Sequence, residues 1–143
     1  MSQQSHSSFT LSDTLQAEFE RNAFNPCVGK VLLSEDDKTR VWYMRVVPGE
    51  RVGFHRHVLD YFWTALSSGK AQQHVNGAAP TVAQYVPGQT KHLTFGPGEF
   101  MVHDLENIGE TDLVFVTVEH KNSANKPLPL PHGVAPRQLQ PGD

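Results

Sequence analysis

The stretch Gly49-Glu-Arg-Val-Gly-Phe-His55-Arg-His57-Val-Leu-Asp-Tyr-Phe-Trp-Thr-Ala-Leu-Ser-Ser-Gly69 decides how this chain folds. Its valines, aromatic residues and bounding glycines are typical of short β-strands joined by turns. His55 and His57 are one residue apart, and residues i and i+2 of a strand point to the same face. We therefore expect both imidazoles to project together, as two ligands of one metal ion do.

The same strand pattern covers most of the chain. Apolar or alternating runs are separated by turn residues, and Asn76-Gly77 is the strongest hairpin signal, because both central residues of a type I′ turn need positive φ. Closely spaced short strands indicate an antiparallel sandwich or barrel. We predict an all-β domain with strands at residues 28–33, 40–47, 53–57, 61–66, 71–75, 82–86, 92–95, 100–103 and 113–119.

The two ends of the chain differ from this central part. Ser12 and Asp13 precede the amphipathic segment 15–19, which predicts one short helix ending near Arg21. The last part is rich in proline and should run extended over the surface of the protein or of a neighbouring subunit. We therefore divide the chain into an N-terminal tail with a short helix (1–27), a barrel (28–121) and an extended C-terminal tail (122–143).

Composition argues against several classes of function. The chain has 143 residues, which suits one domain, and its 12 basic and 15 acidic residues leave a net charge of −3, which disfavours nucleic acid as a partner. No apolar run approaches the ~18 residues of a membrane span, and the first residues lack the basic and apolar regions of a secretory signal. With a lone cysteine, Cys27, these features predict a cytoplasmic protein without membrane contact.

Two parts of the chain resemble the two sequence motifs of the cupin superfamily. The matching residues are Gly49, His55-Arg-His57 and Gly69 for the first motif, and Gly88 and His103-Asp-Leu-Glu-Asn107 for the second. The motifs and the piece between them span residues 49–107, and the flanking strands extend the resemblance to residues 28–120. Arg40-Val-Trp42 and Asp60-Tyr61 are most similar to small single-domain, RmlC-like cupins of the β-alanine-degradation type.

This resemblance implies a double-stranded β-helix, or jelly-roll barrel, that often forms a homodimer and holds one divalent metal ion inside. Such cupins use two histidines and a glutamate from the first motif and one histidine from the second. Carried over to this sequence, the histidine ligands are His55, His57 and His103. Phe62 occupies the position expected for the glutamate, so the resemblance leaves one ligand missing.

Asp60 is the carboxylate nearest to that position. In a regular strand, residues 60 and 62 share a face, so Asp60 should project toward the side of the missing glutamate. Its carboxylate then either binds the metal directly, orients a ligand histidine through a hydrogen bond, or forms a structural salt bridge. Without Asp60, the metal site consists of three neutral histidines.

A three-histidine site predicts a metal-dependent enzyme that acts on a small-molecule metabolite. A dioxygenase-type oxidoreductase is the favoured activity, because some three-histidine cupins are iron dioxygenases. Fe(II) is the favoured ion, and Mn, Ni, Co and Zn are alternatives because imidazole binds all of them. Two other functions stay open: a non-catalytic metal-binding or small-molecule-binding protein that serves as a sensor or accessory, and a metal-dependent isomerase or lyase in which Tyr61 or His92 is the catalytic acid or base.

Overall fold

The computed structural model describes residues 9–143, and the prediction for the start of the N-terminal tail, residues 1–8, lies outside the described residues. One helix, α1 (Asp13–Arg21), precedes the strands. Each of the nine predicted runs overlaps one observed strand, so the prediction of a mostly β chain is confirmed. The strands are β1 (Val31–Glu35), β2 (Thr39–Val46), β3 (Arg51–His57), β4 (Tyr61–Ala65), β5 (Gly69–Gln73), β6 (Thr81–Tyr85), β7 (Thr90–Leu93), β8 (Met101–Asn107) and β9 (Leu113–His120).

The helix begins where the sequence predicts it. Ser12 caps α1, because its Oγ accepts a hydrogen bond from the backbone N–H of Leu15 at 3.2 Å. Leu15 and Phe19, on the apolar side of the helix, pack against the buried ring of Phe54 in β3. The helix therefore covers the outer face of the strand that carries His55 and His57. No helix within residues 9–143 is long and apolar enough to cross a membrane.

The strands form two antiparallel sheets. The larger sheet has the order β1-β2-β9-β4-β7, and the smaller has the order β3-β8-β5-β6. Strands that follow each other in the chain often lie in different sheets, as in a jelly roll. The predicted turn between β5 and β6 is also confirmed, because Asn76 and Gly77 both have positive φ, at 52° and 77°.

One extra residue in β3 interrupts its pairing with β8. Val52 lies opposite residue 105 and His55 lies opposite residue 103, so residues 53 and 54 together face residue 104. Such a bulge shifts the in-and-out alternation of a strand by one residue. Val52 packs into the core between the sheets, Phe54 packs outside beneath α1, and His55 and His57 point inside.

The C-terminal tail, residues 122–143, packs along its own chain and turns at residues 132–133 and 141–142. Arg40 Nη1 donates a hydrogen bond to the backbone oxygen of Leu128 at 3.0 Å. Leu130 and Val134 pack against a buried cluster formed by Val28, Leu32 and Trp42. The tail therefore completes the apolar packing of the barrel from which it emerges, and these contacts all lie within one chain.

Candidate metal centre

Three histidines meet on the inner face of the smaller sheet. His55 and His57 belong to β3, and His103 of β8 lies directly opposite His55. Each offers one ring nitrogen to a group whose atoms all lie within 4.8 Å of one another. Their ring centroids are 4.5 to 5.1 Å apart. Two neighbouring strands thus bring together the three residues to which the resemblance assigned metal binding.

Hydrogen bonds orient two of the three rings. Nδ1 of His55 lies 3.1 Å from the backbone oxygen of Gly53, and Nδ1 of His103 lies 2.8 Å from Oε1 of Gln73. Because both oxygens can only accept, each Nδ1 carries the proton and each Nε2 presents a lone pair. The predictions from sequence do not include Gln73, which belongs to no motif. The one sequence feature that could have indicated an inward position is alternation along β5, which places Gln73 on the same face as the buried Ala71.

Burial keeps the three imidazoles neutral. It lowers the pKa of His55 from 6.5 to about 4. Burial also lowers the pKa of His57 and of His103 well below 6.5, and the neighbouring histidines lower both further. Neutral imidazole is the form that binds a metal ion.

The spacing of the ring nitrogens suits one ion. Nε2 of His57 and Nε2 of His103 are 3.1 Å apart. Two imidazole nitrogens at right angles around an ion, with metal–nitrogen distances of about 2.1 Å, would be about 3.0 Å apart. Nδ1 of His57 is buried and has no hydrogen-bond partner within residues 9–143, so no group of these residues holds a proton on that atom. The group therefore fits one divalent cation, which His55, His57 and His103 would hold.

The histidines form part of the wall of a cavity of about 410 Å³. This volume lies within the usual range for small-molecule sites. His55 and His57 are buried, whereas the lining residues Gln89 and Lys91 are exposed, so the cavity extends from the histidines to an opening beside β7. Most of the wall between them is apolar or aromatic and includes Met44, Trp63, Leu93 and Phe115.

Solved structures share this architecture. A cupin domain from Bordetella pertussis Tohama I has a TM-score of 0.56 and 24% identity, covering 64% of this chain and 90% of that chain. An RmlC-like cupin family protein with a double-stranded β-helix fold from Methanocaldococcus jannaschii has a TM-score of 0.51 and 16% identity, covering 63% and 76%. This chain has the cupin fold.

A third structure covers a larger share of this chain. It is an uncharacterized conserved protein with a double-stranded β-helix domain from Klebsiella pneumoniae, with a TM-score of 0.51 and 24% identity, covering 82% of this chain and 94% of that chain. No protein-family model matches the sequence, and no curated protein is significantly similar to it. Likeness at these identities shows the fold alone.

Tyr61 is the residue of β4 that faces the histidines inside the cupin barrel. Its ring is stacked on that of His57, with centroids 4.0 Å apart and planes at 15°. Phe62 packs outside on His92, so the expectation that position 62 faces the metal is wrong by one residue. The expectation came from the spacing of the resembled motif, whereas alternation along β4 places Tyr61, Trp63 and residue 65 inside. Burial raises the pKa of Tyr61, so its phenol stays protonated.

Asp60 does not belong to the histidine group and does not line the cavity. Its Oδ1 accepts a hydrogen bond from the backbone N–H of Phe95 at 2.9 Å, and its own N–H donates to Oγ of Ser123 at 2.9 Å. The carboxylate therefore orders the segment that follows β7. Within the described residues, the structure presents a three-histidine group without a carboxylate.

His92 lies on the outer face of β7. It is exposed, and its ring packs against Phe62 with centroids 5.2 Å apart. Alternation along β7 turns the neighbouring residues Lys91 and Leu93 toward the cavity instead. Of the two residues expected as a catalytic acid or base, the structure thus brings Tyr61 to the histidines and places His92 outside the cavity.

Proposed function

We propose that this protein is a metal-dependent cupin enzyme that acts on a small-molecule metabolite. The observation that carries the proposal is the convergence of three neutral imidazoles on a cavity of about 410 Å³. Structural metal sites are usually closed by four protein ligands, whereas catalytic sites leave positions for water or substrate. Three nitrogen donors beside an accessible cavity correspond to the second kind.

A dioxygenase-type oxidation is the reaction that we propose first, with Fe(II) as the ion and Mn, Ni, Co and Zn as alternatives. A divalent ion held by neutral ligands would keep its full positive charge, which a carboxylate ligand would partly neutralise. It would also leave coordination positions open for a substrate oxygen and O2. The protein's own part is to hold the imidazoles in place, through the backbone of Gly53 and the side chain of Gln73. Apolar walls such as Met44 and Phe115 exclude water from the substrate.

A metal-dependent isomerase or lyase is the second candidate, and the position of Tyr61 favours it. The protonated phenol belongs to a residue that lines the cavity and contacts His57, so it can donate a hydrogen bond or a proton to a bound molecule. A sensor or accessory protein would use the same cavity to bind its ligand without turnover.

Metal analysis of the purified protein tests the proposal. Wild type, His55→Ala and His103→Ala are each reconstituted with iron, manganese, nickel and zinc, and the control is His132→Ala, which changes an exposed histidine of the tail. We expect one ion per chain in wild type and control, and a strong loss in the other two variants. A wild type that retains no stoichiometric metal with any of the four ions would refute the proposal.

Oxygen consumption then separates the reactions. Iron-loaded protein is tested with a panel of diketones, phenolic acids and amino acids, and uptake that disappears in His103→Ala is the expected result. Absence of uptake across the panel, in protein that does hold iron, counts against oxygenation and leaves the isomerase, lyase and binding functions to be tested by product analysis.

We propose a relationship to β-alanine-degradation-type cupins, a cytoplasmic location and a homodimer. Two exposed valines, Val82 on the edge strand β6 and Val86 just after it, support association, because an edge strand that carries apolar side chains is suited to pairing with a second copy. Gel filtration with light scattering measures the dimer, and Val82→Lys should shift it toward monomer.

A further inference from the structure

Among residues 9–143, one charged side chain lines the cavity. Lys91 is the only lysine, arginine, aspartate or glutamate in the cavity wall that residues 9–143 form. It lies on β7, where its neighbours Thr90 and His92 are exposed and do not line the cavity. No carboxylate of the described residues forms an ion pair with Lys91. The ammonium group is thus free to meet a ligand.

The position of Lys91 sets its distance from the histidines. Across β4 and β7, Tyr61 pairs with Leu93 and Trp63 pairs with Lys91. Tyr61 is stacked on His57, so Lys91 lies two residues beyond the level of the histidines, about 7 Å along the strands. Lys91 is exposed, which places it at the opening, whereas the histidines lie deeper.

The charges of the cavity favour an anion. The three histidines are neutral, so a bound divalent ion would keep its full charge, and Lys91 adds one more positive charge. No acidic side chain among the described lining residues balances them. A cleft lined by charge of one sign concentrates ligands of the opposite sign.

We propose that the cavity binds a small organic acid whose carboxylate, remote from the reacting end, is held by Lys91; this inference rests on the proposed function. The oxygen-bearing end of the ligand lies toward His55, His57 and His103. A short carbon chain lies against Trp63 and Leu93 and separates the two ends. The substrate class is therefore an anionic metabolite with two polar ends and an apolar middle.

Lysine on an edge strand can also protect a sheet from pairing with another chain. That role would not make the protein distinguish between ligands, so ligand discrimination is the measurement that separates the two roles. The probes are 2-oxopentanedioate and 2-oxohexanedioate, each compared with the 2-oxo monoacid of the same number of carbons. The members of each pair share the oxygen-donor end and differ in the remote carboxylate.

Calorimetry and tryptophan fluorescence measure binding to zinc-loaded protein. For at least one pair, wild type should bind the diacid about fivefold more tightly than the monoacid, the size expected of a charge-assisted contact that stays partly exposed. Lys91→Gln should lose this preference while keeping its affinity for the monoacid, and Lys91→Arg should retain it. The control Lys38→Gln changes an exposed lysine of the turn before β2, and it should behave as wild type.

Two separate readouts keep the proposals apart. Equal binding of diacid and monoacid, a preference that survives in Lys91→Gln, or no binding of any probe to zinc-loaded protein would overturn the assignment of Lys91. None of these results contradicts metal binding by the three histidines, because zinc content is measured on the same samples. Failure of the proposed function would appear instead as absence of bound metal.

Discussion

Replacing Gln73 with leucine tests whether the hydrogen bonds behind the histidines control metal binding. Gln73→Leu keeps a side chain of similar size on the inner face of β5. It removes the oxygen that accepts a hydrogen bond from Nδ1 of His103 at 2.8 Å. The variant changes no ligand, so any loss of metal arises from the missing partner of the His103 ring.

The expected loss follows from the tautomer of His103. This ring offers its Nε2 lone pair to a metal only while its proton is on Nδ1, and in the variant that proton has no protein partner. Leaving a buried donor unpaired costs about 1–3 kcal/mol, which corresponds to a roughly 5- to 150-fold loss of affinity. We expect the lower part of this range, because His103 is only half-buried and borders the cavity, where water can replace part of the hydrogen bond.

Competition with a chromophoric chelator near neutral pH measures the zinc affinity of wild type and variants. Gln72→Leu is the matched control, because Gln72 is the adjacent residue of β5 and makes no hydrogen bond with His55, His57 or His103. Gln73→Glu should retain zinc at least as well as wild type, since a carboxylate also accepts the hydrogen bond. Unchanged affinity in Gln73→Leu, or an equal loss in Gln72→Leu, would refute this account of Gln73.

Three further predictions concern stability. Burial raises the pKa of Glu119 from 4.5 to about 7, so the buried carboxylate becomes charged, at a cost in stability, as the pH rises through this interval. Above pH 7, urea unfolding should show that Glu119→Gln is about 3 kcal/mol more stable than wild type. Below pH 4.5, the two proteins should be equally stable. The lowered pKa of His55 has the opposite pH dependence, because below pH 6.5 the unfolded chain binds a proton at this residue and the folded chain does not. In metal-free protein, His55 alone should therefore lower the free energy of unfolding by about 3 kcal/mol between pH 6.5 and pH 4. Urea unfolding across this range measures the change. A chain that ends at Lys121 lacks the packing of Leu130 and Val134, so it should lose about 2–4 kcal/mol of unfolding free energy and elute from gel filtration in the same oligomeric state as the full chain.

Features that depend on local chemistry could be predicted from the sequence. Ser12 caps the helix, and Asn76-Gly77 turns between two strands, because each residue type suits the conformation required at its own position. Alternation also predicted that His55 and His57 share a face, which the structure shows. These signals need no information about which strands pair.

Features that depend on pairing between distant strands could not be predicted. The inner face of β4 was assigned to residue 62 from the spacing of the resembled motif, whereas the face is set by how β4 pairs with β7 and β9. Gln73 and Lys91 carry no motif, and their roles arise from the neighbours that the sheets provide: His103 on β8 for Gln73, and Trp63 on β4 for Lys91. A polar residue on a short strand has no local sign that it will face a cavity.

The bulge in β3 lets the strand hold one extra residue without changing the face of its histidines. Deleting position 53 would let β3 pair without interruption, with residue 54 taking the place opposite residue 104. Regular alternation would then keep Val52, His55 and His57 on the inner face. The deletion would instead remove the backbone oxygen of Gly53, which lies 3.1 Å from Nδ1 of His55. A single in-frame codon loss at this point would therefore preserve the ligand set and alter only the hydrogen bonding behind it.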